Sequence, residues 1–338
     1  MVSVIIPVLN EEKYISHCLT SITDQDFPKE EMEVICVDGM STDRTREIIT
    51  EFSEKHKYIR LLDNHDRIVS YALNTGIKAS YGSVIMRIDA HCKYPANYIS
   101  TLVRKLKELE ADNVGAVINS LPACKSSLCK AIAVGSANKF GVGNSAFRVG
   151  SDKIQEADTV PFGCFRRDIF DRIGLFDTDL IRNQDDEFNG RIIKNGGKIY
   201  LVPEVSVDYY ARETPGKMAR MFYQYALFKT LVNRKLGAPA TVRQLVPPLF
   251  ISAIIGGALL SILFPIVVPI FFSGIILYII MSFGVSLLQS VKYRSVSLFF
   301  ILPMIFLVIH LSYGWGYLTG MLKFGILKSN SVTAEVNR

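Results

Sequence analysis

The sequence predicts an α/β domain, with a mostly parallel sheet covered by helices on both faces, followed by transmembrane helices. Two observations carry this reading. Over the first 120 residues, short apolar runs alternate with amphipathic stretches, the pattern of a covered parallel sheet. From Gln244 to Val291 there is no Asp, Glu, Lys, Arg or His, and from Ser295 to Leu322 His310 is the one such residue. The mean hydropathy of +0.24 reflects this concentration of apolar residues. The composition excludes a wholly soluble enzyme, a disordered chain and a small disulfide scaffold. It leaves a polar part of about 240 residues, long enough to bury its own core, and a membrane part of about 80.

The elements follow in order. Ser3–Val8 reads as a strand and Lys13–Thr23 as a helix with Ile15, Leu19 and Ile22 on one face. Val34–Asp38 is a second strand. Ser41, Thr42 and Asp43 offer caps for a helix over Arg44–Lys55. Ile59–Leu62 and Val84–Asp89 are strands, with helices at Ile68–Ala79 and Ala96–Glu110 and a fifth strand at Gly115–Asn119. Residues 120–160 read as a long irregular loop, of the kind that forms lids or binding loops. A short helix at Asp186–Lys194 and a strand at Lys198–Val202 come next. The uncharged run then accommodates spans near 245–264 and 268–290, with Pro265 and Pro269 at the turn, and a third near 297–318. The expected division is a cytosolic domain over 1–235 and a membrane domain over 236–338.

Charge and cysteine usage bound the partners. The net charge of +6 is modest and mostly mixed, which argues against nucleic acid. From Arg212 to Arg243 there are seven Lys or Arg and one acid, Glu213. A basic segment beside an apolar run favours the cytoplasmic side and anionic membrane lipids. The amphipathic stretch 215–236 is expected to lie in the head-group layer or to pack on the α/β domain. None of the six cysteines forms a Cys-x-x-Cys pair or a zinc pattern, so all six are expected to be buried or free thiols. The opening MVSVIIPVLNEE reads as a strand and not as a signal peptide.

Carboxylates carry the candidate chemistry. Asp38 and Asp89 end two strands, where open α/β sheets bind ligands. No G-x-G-x-x-G or P-loop is present. Asp89-Ala90-His91 places two donors on one side of an extended chain. The pair suits Mg²⁺ or Mn²⁺ bound with a diphosphate, or it is a capped strand end with a surface His. Asp185-Asp186-Glu187 opens a helix and reads either as an acidic helix start or as a general base whose acidic neighbours raise its pKa. An i,i+4 pair from Glu187 to Arg191 would lock that turn. His310 is expected to be a packed neutral imidazole.

Together these motifs resemble the inverting family 2 glycosyltransferases of the GT-A fold. Val2 to Glu12 looks like the first strand and nucleotide loop, and Val37-Asp38-Gly39-Met40-Ser41-Thr42-Asp43-Arg44-Thr45 like the second. Asn74-x-Gly76 followed by Ala79-x-x-Gly82 matches the segment before the metal motif, and Asp89-Ala90-His91 stands at the family's Asp-x-Asp. Residues 141–148, 158–167 and 182–191 look like the succinoglycan-biosynthesis glucosyltransferase subfamily. The Gln-Arg-Arg-Trp-type motif of processive synthases is missing around Arg220.

The resemblance implies transfer of a hexosyl group from a nucleoside-diphosphate sugar, with a UDP-sugar favoured, to a lipid-linked saccharide in polysaccharide synthesis. It implies Asp185 as catalytic base. Pro7, Asn10, Glu12, Asp38, Asn74, Asp89 and Arg220 would meet the nucleotide sugar, and Asp89 and His91 would hold the divalent metal. Arg148, Arg166, Arg167, Asp186 and Glu187 are acceptor-region candidates. The implied acceptor is a polyprenyl-diphosphate-linked saccharide. The implied location is the cell (plasma) membrane, multi-pass, with the catalytic domain cytoplasmic. The competing readings are a polyprenyl-phosphate sugar transferase and a nucleotide-sugar-binding membrane scaffold.

Overall fold

The computed structural model describes residues 1–237 and 241–327. It divides into two units, one formed by Met1–Asn119 with Gly150–Tyr209, the other by Ser120–Val149 with the described residues from Tyr210 on. The second unit thus takes residues 120–149 and 210–235, which the sequence reading assigned to the first domain.

The strands of the first unit are β1 (Val2–Val8), β2 (Met32–Asp38), β3 (Ile59–Asp63), β4 (Val84–Arg87), β5 (Cys92–Lys93), β6 (Asn113–Leu121), β7 (Gln155–Glu156), β8 (Cys164–Arg166) and β9 (Ile199–Tyr210). Their order is β3-β2-β1-β4-β8-β6-β9-β5, with β7 on β9. The four strands from β3 to β4 are parallel. From β8 outward the pairs β4–β8, β6–β8, β5–β9 and β7–β9 are antiparallel. The parallel half is apolar on both faces, as Val4, Ile5, Ile6 and Val34–Val37 are all fully buried. Its covering helices are Ile15–Thr23, Thr45–Lys55 and Val69–Ala79. Gly76 lets the last of these lie on β1, because a Cβ there would meet Ile5 Cγ2 at 2.5 Å.

The helix Gln184–Lys194 is anchored by its buried face. Phe188 stacks on Phe176 and Phe170 with ring centroids 4.5 and 5.1 Å away. One residue on, Asn189 accepts from Asn113 Nδ2 and donates to Thr159 Oγ1, both at 2.8 Å. These buried hydrogen bonds tie the helix to β6 and to the segment before β8.

In the second unit, the first part of the loop expected over 120–160 instead contains helices at Ser127–Ser136, Lys139–Val142 and Ala146–Val149. Ser126 caps the first by accepting from the Cys129 N–H, and the Asn138 side chain caps the second. Ala131, Ile132, Ala133 and Val134 pack with Leu298, Leu302, Ile305 and Phe306, with alanines at two of the four positions. Cys124 and Cys129, expected to be thiols, are joined by a disulfide across that first turn, with Cα atoms 5.7 Å apart. Cys18, Cys36, Cys92 and Cys164 are free and buried, as expected.

The helix Pro215–Leu236 does not offer an apolar face to a head-group layer. Residues from Met221 to Val232 are buried apart from the half-buried Tyr223 and Tyr225, and Met218, Met221 and Phe222 join the cluster with Leu302 and Phe306. Among the described residues three helices, Val242–Leu263, Val267–Lys292 and Val296–Ile326, are long and apolar enough to cross a membrane. His310 lies on the third, with Nδ1 3.0 Å from Tyr278 Oη and Nε2 2.8 Å from Phe140 O.

Candidate active site

The carboxyl ends of β1, β2 and β4 gather most of the predicted residues of the first unit. Pro7 lies within β1 opposite Val37 of β2. Beyond it Asn10 turns left-handed at φ 54°, a conformation Asn tolerates. Its N–H donates to Ser41 Oγ and its Oδ1 accepts from the Thr42 N–H, both at 2.8 Å. Glu12 mirrors this, since its N–H donates to Asp43 Oδ2 and its Oε2 accepts from the Arg44 N–H. Asp38 is fully buried. It accepts from the Ser41 hydroxyl, the Ser41 N–H at 3.0 Å and Arg46 Nη1 at 2.7 Å. Arg46 also meets Asp63 at 2.8 Å. The two loops after β1 and β2 are therefore laced into one surface.

Asp89 follows β4 and is held on its main chain. Its N–H donates to Tyr94 Oη at 2.9 Å, and the Tyr94 hydroxyl donates back to its C=O at 3.2 Å. On its side chain, Arg87 Nε and Nη2 both donate to Oδ1, at 3.1 and 3.0 Å. The third arm of the same guanidinium, Nη1, binds Asp185 Oδ1. Arg87 is 6% exposed. Burial alone would lower its pKa, but Asp185 and Asp89 outweigh this and hold it raised and charged. Asp185 opens the helix Gln184–Lys194, behind the left-handed Asn183. Burial pushes its carboxyl up to about 6, opposed by Arg87 and assisted by Asp89 and Asp186.

His91 lies near this group with Nδ1 3.5 Å from Glu11 Oε1 and its ring edge-on to Tyr209. A ligating imidazole backed by a carboxylate is the usual outer-shell arrangement of metal sites. Among the described residues no three His, Cys, Asp or Glu side chains form a metal cage. A carboxylate and an imidazole are by their chemistry a donor pair suited to a divalent cation whose remaining ligands are phosphate or water oxygens.

Other predicted residues go elsewhere. Both ends of the Asn74 amide are used by the Phe176 backbone, at 2.8 and 3.0 Å. Glu187 is buried and makes the expected i,i+4 pair with Arg191, at 2.7 and 2.9 Å. Asp186 is half-buried in the first turn beside Asp185. Arg166 pairs with Val84, the first residue of β4, and salt-bridges Asp168. Arg167 binds Gly82 O and Ser80 Oγ. These two lie at the opposite end of β4 from Asp89, about 16 Å away at the rise of a strand. Arg148 and Arg220 belong to the second unit, where the Arg148 guanidinium lies over the rings of Phe147 and Tyr225. The sequence reading missed Arg87, Arg46, Glu11 and Tyr94. Arg87 had a signal: it stands two residues before Asp89 in an otherwise apolar strand, on the same face.

A mixed sheet of this order, with carboxylates gathered at the carboxyl ends of its parallel strands, defines a GT-A-type sugar transferase. Residues 3–174 match the family described as Glycosyl transferase family 2. The chain belongs to that family and is a glycosyltransferase. It is 30% identical over 332 residues to the dolichyl N-acetyl-alpha-D-glucosaminyl phosphate 3-beta-D-2,3-diacetamido-2,3-dideoxy-beta-D-glucuronosyltransferase of Methanococcus voltae, covering 95% of this chain and 97% of that one. It is 31% identical to the succinoglycan biosynthesis protein ExoA of Rhizobium meliloti, over 77% of this chain and 78% of that one. The mannosyltransferase PcManGT of Pyrobaculum calidifontis, solved with GDP-Man and Mn²⁺, shares the fold with a TM-score of 0.63 at 18% identity, over 93% of this chain and 87% of that one.

Proposed function

We propose that the protein transfers a hexosyl group from a nucleoside-diphosphate sugar, with UDP as the carrier, to a hydroxyl of a polyprenyl-diphosphate-linked saccharide. The observation that carries this reading is the arrangement around Arg87. A carboxylate at the end of β4 and a second at a helix start share one buried guanidinium, yet have separate environments. Asp185, with its pKa raised to about 6, is suited to take a proton near neutral pH. It removes the acceptor proton as the acceptor oxygen bonds to the anomeric carbon. The bond to the diphosphate breaks on the opposite face, so the centre inverts, by analogy with inverting glycosidases. The loops joined through Asn10, Glu12, Ser41 and Asp38 receive the nucleoside. Asp89 and His91 are the residues that would hold Mg²⁺ or Mn²⁺, which when bound stabilises negative charge on the leaving diphosphate.

The Methanococcus voltae relative is named for a dolichyl phosphate-linked sugar acceptor, which supports a lipid-linked saccharide as the acceptor. GDP-Man with Mn²⁺ in PcManGT supports a nucleotide-sugar donor with a divalent cation. The three apolar helices and the basic 212–243 segment support a multi-pass plasma-membrane protein with its catalytic domain in the cytoplasm. The test is nucleoside-diphosphate release by membranes containing the protein, with UDP-, GDP- and dTDP-sugars, Mg²⁺ or Mn²⁺, and lipid-linked acceptors. Release with one donor, dependent on glycosylated lipid, is expected. Release that needs only bare polyprenyl phosphate would overturn the acceptor assignment.

A further inference from the structure

We infer that Arg87 is a positioning residue that couples the two carboxylates of the site: it occupies Asp89 until a divalent cation and donor arrive, and then serves Asp185 alone. This rests on the reading of Asp89 and Asp185 given above.

The backbone around Arg87 is pinned. Its N–H donates to Gly163 O at 2.9 Å, and the next N–H, from Ile88, donates to Ile5 O at 3.0 Å. Only the side chain can redistribute its bonds. The Arg87 side chain is 8% exposed, against 18% for Asp89 and 29% for Asp185. The guanidinium therefore approaches both carboxylates from the protein side and leaves their outer faces to ligands. Two of its donors converge on a single oxygen, Asp89 Oδ1.

A cation arriving at Asp89 meets this fixed positive charge and competes with it. Once a metal and a diphosphate neutralise Asp89, the attraction holding the fork there weakens. Asp185, tied through Nη1, then becomes the carboxylate that most strongly orients the guanidinium. Donor loading at the end of one strand is thereby transmitted to the start of a helix distant in the chain. A lysine cannot do this, because one ammonium lacks the planar fork that spans two carboxylates.

The test uses the full-length protein in nanodiscs, with Mn²⁺ binding followed by electron paramagnetic resonance with and without UDP, and with steady-state transfer measured separately. In Arg87→Gln, Mn²⁺ without nucleotide is expected to bind roughly tenfold tighter, because a nearby like charge is gone, and the gain should shrink with UDP present. Its kcat should fall while the donor KM stays within about threefold. Arg87→Lys should keep the wild-type Mn²⁺ affinity and lose kcat.

A folded Arg87→Gln protein whose Mn²⁺ affinity is unchanged or weaker overturns the inference. So does wild-type kcat in Arg87→Lys, which decides the matter if the Gln variant does not fold. Absence of Mn²⁺ binding by every form, with and without UDP, overturns it too. A wild-type protein that binds Mn²⁺ but transfers no sugar faults the proposed function instead, and the Mn²⁺ comparison still judges Arg87.

Discussion

Tyr94 and Asp89 are joined twice by one hydroxyl: it accepts the Asp89 N–H and donates to the Asp89 C=O. The Tyr94 ring is buried against Tyr98 and Phe162, so the hydroxyl has little freedom. Tyr94→Phe keeps the ring and removes both bonds. A loss of roughly 1–3 kcal/mol in stability is expected, since a part-buried N–H is left without its acceptor. Thermal melting would check this, and an unchanged melting point would refute it.

Asp185→Asn should cut turnover by about 10²–10⁴-fold while leaving UDP binding within a few-fold of wild type. Near-normal turnover would show that the base lies elsewhere. Isothermal titration with UDP separates the two effects.

A base must be ionised to act. The Asp185 carboxyl is raised to about 6 chiefly by burial, so kcat/KM should climb as pH rises through 6 and level off above 7. At pH 5 most of the carboxyl is protonated and turnover is correspondingly reduced. A rate that is flat between pH 5 and pH 7.5 would contradict the assignment.

The Asn74 amide is engaged at both ends by Phe176. Asn74→Ala is therefore expected to destabilise the fold, by about 1–3 kcal/mol, without weakening UDP binding by the folded protein. If stability held and UDP affinity fell tenfold, Asn74 would be a nucleotide contact, as its motif first implied.

The Cys124–Cys129 pair offers a test of orientation. Disulfides are held reduced in the cytosol of most cells. If residues 120–149 face the cytoplasm, both thiols should be alkylated in intact cells by a membrane-permeant maleimide without added reductant. Protection until a reductant is added would place this segment on the oxidising side.

The parallel half of the sheet was legible because each buried strand is a largely apolar run followed by an amphipathic helix. Residues 127–149 were not, since the helix Ser127–Ser136 packs small residues such as Ala131, Ala133 and Gly135 against neighbours distant in the chain, and the two helices after it are four residues long, too short to show a period. The carboxylates at 38, 89 and 185 could be read from order and spacing. Motif matching did not separate residues that face a ligand from those that brace the fold. Asn74, Arg166 and Arg167 sit inside matched motifs and bind backbone or neighbouring side chains. Arg87 escaped notice because a single cation in an apolar run reads as a strand residue until its partner on a distant helix is known.

The packing of Met218, Met221 and Phe222 against Leu302 and Phe306 bears on how the enzyme can be handled. Cutting the chain after Arg243 would remove every candidate span and would also strip the cover from the helix Pro215–Leu236. Close backbone contact compounds the loss, because Gly316 lies where a Cβ would come within 2.3 Å of Tyr223 O. The shortened protein would display a sticky apolar helix where the parent has a core, and would be prone to aggregate. A soluble fragment would need polar replacements along that exposed helix, designed together with the cut.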